Sequence, residues 1–418
     1  MAHFKNRFFI TPRPRAELLT IGTELVRGSV VNTNAAYLGR ELTKLGFDVR
    51  DQVACPDDAP SIKNALRVAL SRADVILVSG GLGPTPDDIT RETLAEYFQS
   101  PLVFSEKQYQ LIQQYYRKRG RSVPSLVKRE ACLPSCAKPI LNQFGVALGF
   151  SVEERGHLIV AVPGVPGELT RLFEHRLKAM LRQRFPALRP FSKLIVKTIG
   201  LSEPDIMHRL GPSFFGLGLF QFGIYPEIGE VGLMIYADSP KLIKRLKRHI
   251  EEVLGPHIYS FSEEPIEAVI GKILRAKRHS IAVAESCTGG KISAMITKAA
   301  GASRYFLGGV VPYHDQTKIQ LLDIPQDVLS QKGAVSGEIA SSMAQEVRKK
   351  FKSTFGMGIT GIAGPTGGTQ KKPVGLVYIA LASSKNIKIR EEHFLGDRIQ
   401  IQARAAKKAL EYLWRCIR

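Results

Sequence analysis

Cysteine is scarce in this chain, since 418 residues contain five: Cys55, Cys132, Cys136, Cys287 and Cys416. An odd, sparse set does not build a disulfide framework and is typical of a reducing compartment, so we expect a cytoplasmic protein. Cys132 and Cys136 form one C-x3-C pair with no second pair nearby. The sequence therefore does not predict a four-ligand zinc site.

Long apolar runs are also absent, because no stretch reaches the about 18 apolar residues that a transmembrane helix needs. The first 15 residues, MAHFKNRFFITPRPR, are basic and lack the apolar core of a secretion signal. We interpret them as an extension before the first domain. The sequence predicts neither a membrane span nor export.

Acidic residues are few relative to basic ones, with 38 Asp and Glu against 59 Lys and Arg and a formal net charge of +21. Such an excess favours anionic partners such as phosphorylated metabolites or nucleic acid. Basic side chains concentrate in residues 171–197 and 241–248, where solvated helix faces would explain them equally well. Nucleic-acid binding stays open but has no support from an aromatic RNA motif, a zinc finger or a recognition helix.

Strand and helix patterns alternate along most of the chain, which predicts an α/β protein of two to three domains. The alternation in the first part predicts a parallel sheet with helices on both faces. We place the domains at residues 16–182, 190–260 and 263–418. The middle one has two strand patterns and one helix pattern, and we expect a small α+β module that links the others or dimerises.

Two glycine-containing segments, IGTELVRGSVVNTN and SGGLGPTPDDIT, carry the polar residues of the first domain. Ligands of parallel sheets bind beyond the carboxyl ends of the strands, where both segments lie. Glycines allow close approach to a phosphate or pterin, and carboxylates can hold Mg²⁺ through water. The candidate residues are Glu24, Asn32, Asn34, Gly81, Gly83, Asp87 and Asp88, with Asp87 and Asp88 as metal ligands. Alternatively, the glycines only form a turn and Asp88 caps the next helix.

The segment AESCTGGKIS, residues 284–293, predicts a strand, a tight turn and a helix start. This geometry would set Ser286 or Cys287 at the positive end of a helix. Free backbone N–H groups of Gly289 and Gly290 would face a developing oxyanion. A thiol at a helix N-terminus is intrinsically the better nucleophile, so the residues alone leave Ser286 and Cys287 as rivals.

A second glycine-rich loop runs from residue 360 to 368 and could hold a phosphate or ribose through backbone N–H groups. It lacks the Gly-Lys-Ser/Thr ending of a P-loop. Within it, Thr360, Gly361 and Gly364 are the candidate substrate contacts.

Several long motifs, which occur along the chain in the family's order, resemble the CinA family. GTELVRGSVVNTNAAYLGRELTKLGFDV, SGGLGPTPDDITRETLAEYF and VPGVPGELTRLF resemble its first domain, which is similar to the molybdopterin-binding MoaB/MogA fold. AESCTGGKISAMIT, YFLGGVVPYHDQTK, GITGIAGPTGG and PVGLVYIAL resemble its C-terminal domain. In that family the C-terminal domain is a nicotinamide mononucleotide amidohydrolase.

The resemblance implies hydrolysis of the carboxamide of nicotinamide mononucleotide to nicotinic acid mononucleotide and ammonia, without a cofactor. Ser286 would be the nucleophile, with Tyr313 and a neutral Lys318 assisting it; burial and nearby positive charge would favour that neutral lysine. The oxyanion would form beside Thr288, Gly289 and Gly290, and Arg398 would pair with the phosphate. Family members are expected to be at least dimers.

The resemblance also implies an ADP-ribose pyrophosphatase, dependent on a divalent cation, in the first domain. Here the chain departs from the family pattern, with Val127 and Glu130 in place of two amide side chains, and Gln143, Val146 and Leu148 in the next loop. The fold is expected to survive, but pyrophosphatase activity is in doubt. In the last domain Gln402 occupies the place of a second arginine, for which Arg404 could substitute.

The alternative hypothesis is a protein without turnover. It would hold a nucleotide or pterin in the first domain, or DNA on its basic middle segment.

Overall fold

The computed structural model describes residues 13–418, which divide into two units at residue 192. The interpretation of the N-terminal extension falls largely on residues 1–12, outside the described residues. Within the described part, no helix combines the length and the apolar character that a membrane span requires. The predicted middle and C-terminal segments belong to the same unit, 193–418.

The first unit is built on a six-stranded sheet and a separate two-stranded one. Its strands are β1 (Arg15–Ile21), β2 (Asp48–Cys55), β3 (Val75–Ser79), β4 (Leu102–Phe104), β5 (Cys132–Pro134), β6 (Lys138–Ile140), β7 (Gly149–Glu154) and β8 (His157–Val162). The large sheet has the order β2-β1-β3-β8-β7-β6, and β4 pairs with β5. The first four of these strands are parallel, as predicted, whereas β7 runs antiparallel to β8. The two-residue turn Arg155–Gly156, with φ of 48° and 89°, forces this hairpin.

Helices cover both faces of the large sheet. They are α1 (Thr23–Val26), α2 (Thr33–Leu45), α3 (Ala59–Leu70), α4 (Thr90–Tyr97), α5 (Glu106–Arg117), α6 (Pro166–Leu172) and α7 (Lys178–Arg184), with a π-helical turn at Phe173–Leu177 and a 3₁₀ turn at Ser125–Ala131. Successive strand residues point to opposite faces, so Leu18 joins one apolar core and Leu19 the other. Burial on both sides explains the nearly continuous apolar strands.

The second unit begins with a four-stranded sheet of order β10-β11-β9-β12. Its elements are β9 (Ser192–Ile199), α8 (Glu203–Phe215), β10 (Gln221–Glu227), β11 (Glu230–Ala237), α9 (Pro240–Leu254) and β12 (Ile258–Ser260). The sequence predicted β9, β11 and α9 and missed α8. Gly211 has a non-helical φ of 76°, and Pro212 follows it, so the helical pattern is interrupted.

The rest of the second unit is a five-stranded sheet of order β14-β13-β15-β16-β17, flanked by helices. Its elements are α10 (Ile266–Ala276), β13 (Ile281–Glu285), α11 (Lys291–Thr297), β14 (Phe306–Val310), α12 (Asp315–Leu322), α13 (Gln326–Lys332), α14 (Gly337–Phe351), β15 (Phe355–Gly361), β16 (Leu376–Ala382), β17 (Ile387–His393) and α15 (Arg398–Ile417). β13 is parallel to both β14 and β15. The carboxyl ends of β13 and β15 therefore meet at one edge, and both predicted glycine-rich loops leave from it.

Candidate functional site

The predicted nucleophile lies in a tight turn between β13 and α11. The Ser286 N–H donates to the carbonyl of Ile359 on β15 at 3.0 Å, which ties the turn to the neighbouring strand. Gly289 and Gly290 adopt φ of 60° and 92°, the left-handed region that favours glycine. Ser286 is 8 % exposed. The strand, turn and helix start predicted from the sequence are all present.

A carboxylate that the sequence reading missed holds this turn. Glu285, the last residue of β13, is fully buried. Its oxygens accept hydrogen bonds from the Thr288 hydroxyl at 2.8 Å, the Ile292 N–H at 3.0 Å, and the N–H and hydroxyl of Ser293 at 2.8 and 2.7 Å. It therefore caps the first turn of α11 from the strand side. The sequence signal that could have predicted this cap is an acidic residue directly before the predicted nucleophile turn and helix start.

Glu285→Gln is expected to lower the free energy of unfolding by about 2 kcal/mol, because an amide NH₂ would replace one acceptor and face buried donors. Urea denaturation measures this loss. Glu252→Gln, on the exposed face of α9, is the matched control and should change stability by less than about 0.5 kcal/mol. Equal stability of the two variants would mean that the cap contributes nothing.

Some of the predicted oxyanion donors already form hydrogen bonds within the turn. The Gly289 N–H donates to the Ser286 carbonyl at 3.1 Å, so the prediction that it is free is wrong. A turn this tight closes through that hydrogen bond. The Thr288 hydroxyl is likewise occupied by Glu285. Gly290, the N-cap of α11, stays the candidate donor.

The rival nucleophile, Cys287, points into the apolar core beside Ile292. Burial raises the pKa of its thiol to about 12, and the carboxylate of Glu285 adds to the increase. The helix N-terminus was expected to lower the pKa of this thiol, but the effect of burial is larger. Transferring a thiolate out of water costs more free energy than its interactions with the turn recover. The thiol is therefore protonated at neutral pH. The geometry favours Ser286 over Cys287.

Tyr313 precedes α12 and Lys318 lies within its first turn, and the two side chains differ in exposure. Tyr313 is 55 % exposed, whereas Lys318 is 1 % exposed. The Lys318 Nζ donates to the Tyr313 carbonyl at 3.3 Å and to the Asp315 carboxylate at 3.2 Å. The sequence reading expected a buried lysine next to positive charge. The burial is present, but the charged group that Lys318 contacts is a carboxylate.

Arg398 connects the second glycine-rich loop to Tyr313. It is the first residue of α15, and its Nη1 donates to the Gly364 carbonyl at 2.7 Å while its Nη2 donates to the Tyr313 hydroxyl. The guanidinium is exposed and forms no ion pair among residues 13–418. In the same loop, Gly361 ends β15 where a Cβ would lie 2.6 Å from the Leu376 carbonyl. Thr360 is buried and its hydroxyl donates to the Ala334 carbonyl at 2.8 Å, so that proton is already used.

Gln402 lies one helical turn after Arg398 on the same face of α15. Its Nε2 donates to the Cys287 carbonyl at 2.9 Å, across 115 residues of sequence. Arg404 instead donates to the Leu395 carbonyl at 2.6 Å and lines a separate cavity with Glu230 and Glu411. Arg404 therefore does not take the place of the second arginine. Gln402 takes a structural role at the nucleophile turn.

The polar residues predicted for the first unit line one cavity of about 450 Å³. They are Glu24, Asn32, Asn34, Gly81, Gly83, Asp87 and Asp88. Asn32 caps α2 and donates to the Thr20 hydroxyl at 2.8 Å. Asn34 donates to the Gly164 carbonyl at 2.6 Å and the Ser79 hydroxyl at 3.1 Å. These bonds join α2 to the ends of the central strands.

The donor set around Asp87 and Asp88 does not fit a resident divalent cation. Asp88 accepts a hydrogen bond from the Thr85 N–H at 3.0 Å and another from its hydroxyl, and it does not cap α4. Residues 13–418 contain no group of three or more His, Cys, Asp or Glu side chains placed to hold a metal. Mg²⁺ requires near-octahedral oxygen ligands.

Glu130, one of the departures from the family pattern, also lines this cavity and is 1 % exposed. Burial raises the pKa of its carboxyl to about 7, the Arg91 guanidinium opposes the increase, and the Glu168 carboxylate adds to it. Glu168 lines the same cavity, and burial raises its pKa as well. These two neighbouring carboxyl groups, one buried and one partly buried, make this wall unfavourable for a phosphate.

Two family models match the chain, the probable molybdopterin binding domain at residues 17–183 and the CinA C-terminal domain at residues 263–417. A putative competence-damage inducible protein from Caldicellulosiruptor saccharolyticus is 36 % identical over 408 residues, which cover 96 % of this chain and 99 % of that protein. One of the same description from Moorella thermoacetica is 37 % identical, covering 97 % and 99 %. A solved structure of CinA from Thermoplasma acidophilum covers 41 % of this chain and 98 % of its own at 35 % identity, with a TM-score of 0.37. The resemblance stated from the motifs is confirmed.

Proposed function

Because this chain belongs to the CinA family and carries a MoaB-like first domain, we propose that its C-terminal part hydrolyses nicotinamide mononucleotide to nicotinic acid mononucleotide and ammonia. The observation that carries the proposal is a set of hydrogen bonds between segments distant in sequence. Arg398 bonds to both Gly364 and Tyr313, and Lys318 bonds to Tyr313. Gln402, on the helix face of Arg398, bonds to the nucleophile turn.

In the proposed mechanism the Ser286 hydroxyl attacks the carboxamide carbon, and Lys318 in its neutral form accepts the serine proton. The new C–O bond forms as the carbonyl π electrons move to oxygen, where Gly290 is the candidate donor. The tetrahedral intermediate collapses with loss of ammonia, to which Lys318 returns the proton. A water molecule then attacks the acyl ester while Lys318 accepts its proton, and Lys318 passes that proton to the Ser286 oxygen as the ester bond breaks. Lys318 is therefore neutral again at the end of each turnover.

The proposal assigns the substrate phosphate to the exposed edge of Arg398 beside the second glycine-rich loop. A guanidinium at the N-terminus of a 20-residue helix adds its charge to the helix dipole. Binding requires Arg398 to exchange its bond to Tyr313, a neutral partner, for a doubly charged one. Charge-assisted bonds to phosphate are the stronger kind, which favours this exchange.

The assignment predicts that nicotinamide mononucleotide is hydrolysed with kcat/KM about 10- to 100-fold higher than nicotinamide riboside, which lacks the phosphate. Arg398→Gln should remove most of this difference by raising KM for the mononucleotide alone. Steady-state ammonia release with both substrates measures it. Arg304→Gln, an exposed arginine after α11, is the control. An unchanged preference in the Arg398 variant would place the phosphate elsewhere.

A further inference from the structure

The turn that carries Ser286 is closed partly by a side chain from the last helix of the chain. Within the turn, the Ser286 carbonyl accepts a hydrogen bond from the Gly289 N–H at 3.1 Å. The next carbonyl, that of Cys287, accepts no backbone N–H from the part of the chain that the structure describes. Its donor is the Nε2 of Gln402, at 2.9 Å. The residue after the proposed nucleophile is therefore held from outside the turn.

The helix that carries Gln402 is itself firmly fixed. Gln402 lies in the second turn of α15, which is 20 residues long. The preceding residue, Ile401, is fully buried in the same apolar core as the Cys287 side chain. The first turn is capped by Asp397, whose carboxylate accepts from the Gln400 N–H at 2.8 Å. Side chains on packed helices keep their geometry better than side chains on loops, so Gln402 is suited to hold a neighbour in place.

The same face of α15 contacts two different parts of the site. Arg398, one helical turn before Gln402, donates to the Gly364 carbonyl at 2.7 Å and to the Tyr313 hydroxyl. Gln402 instead contacts the nucleophile turn, and its amide carries no charge to offer a phosphate. The geometry therefore separates a contact at the proposed phosphate end from a contact beside the nucleophile.

On the basis of the hydrolase function proposed above, we infer that Gln402 is a positioning residue for Ser286. Its bond to the Cys287 carbonyl fixes the turn so that the Ser286 hydroxyl meets the substrate carboxamide, whether or not the substrate carries a phosphate. A displacement of about 1 Å between reacting groups lowers a rate by about 100-fold. Loss of the Gln402 donor should therefore slow the chemical step and leave substrate affinity to Arg398.

Gln402→Met keeps the length of the side chain and removes both N–H donors. We expect kcat to fall about 10- to 100-fold for nicotinamide mononucleotide and for nicotinamide riboside alike, with KM unchanged for each. Arg398→Gln has the opposite signature, a higher KM for the mononucleotide alone. Gln402→Arg retains N–H donors and should recover most of the lost kcat. Gln331→Met, on the exposed side of α13, is the matched control and should behave like the native protein.

Hydrogen exchange of the full-length protein tests the contact without turnover. Mass spectrometry of the peptide that spans the turn should show the Ser286 and Gly289 amides exchanging about 2- to 10-fold faster in Gln402→Met, as expected for one lost hydrogen bond. Gln331→Met should exchange at the native rate. Urea denaturation of each variant checks that the protein is folded.

The two measurements separate failure of this inference from failure of the hydrolase function. No ammonia release from the native protein would refute the hydrolase function, and the exchange rates would then decide whether Gln402 holds the turn. Turnover by the native protein with unchanged kcat in folded Gln402→Met would refute the positioning role alone. Unchanged exchange in the turn, a change confined to KM for the mononucleotide, or equal loss of kcat in Gln402→Met and Gln402→Arg would also overturn it.

Discussion

Ser286→Ala is expected to lower ammonia release from nicotinamide mononucleotide at least about a thousandfold, because removing a nucleophile ends the covalent route. The fold should be retained, since Ser286 contributes its N–H rather than its hydroxyl to the bond that ties the turn to Ile359. The measurement is the initial rate of ammonia release at saturating substrate, with the unfolding midpoint recorded for each variant.

Cys287→Ala is the matched control at the adjacent position. Its thiol is buried in the core with a pKa raised to about 12, so little thiolate exists at neutral pH. We expect turnover within a few-fold of the native rate and a stability loss of about 1 kcal/mol from the lost packing. If Cys287→Ala abolishes turnover while Ser286→Ala retains it, the assignment of the nucleophile is wrong.

Lys318→Met is expected to lower kcat by about 10²- to 10⁴-fold with little change in KM, because proton transfer from Ser286 would lose its acceptor. Methionine keeps the length and apolar stem of the lysine. The Asp315 carboxylate left behind is 55 % exposed and stays solvated, so no uncompensated buried charge results. Steady-state kinetics and urea denaturation together separate a lost base from a lost fold.

Lys298→Met, at the exposed end of α11, is the control for Lys318. It should match the native protein in rate and stability. Native-like turnover in folded Lys318→Met would remove Lys318 from the mechanism and leave Ser286 without an identified base.

The strand–turn–helix segment around Ser286 could be predicted from the sequence because the signals that specify it are local. An apolar run followed by small residues and glycines predicted β13 and α11. The parallel strands and the clustering of Gly81 and Asn34 on one cavity follow from the rule that strand ends share an edge.

What the sequence could not provide depends on packing between distant segments. The protonated state of Cys287 follows from its burial in the core, and its carbonyl is held by Gln402 from 115 residues away. Whether the Gly289 N–H is free or hydrogen-bonded depends on how the turn closes, and two glycines allow several turn conformations. The acidity of the first cavity comes from bringing Glu130 and Glu168 onto the wall beside Asp87, an arrangement that no local pattern encodes.

The central claim is tested most directly by ammonia release from nicotinamide mononucleotide by the full-length protein, measured with and without EDTA. The account predicts release that continues in EDTA, with nicotinic acid mononucleotide formed in equal amount, since Ser286 and Lys318 carry every proposed step. No release from folded protein would contradict it and would favour a binding role, and release abolished by EDTA would contradict the serine mechanism.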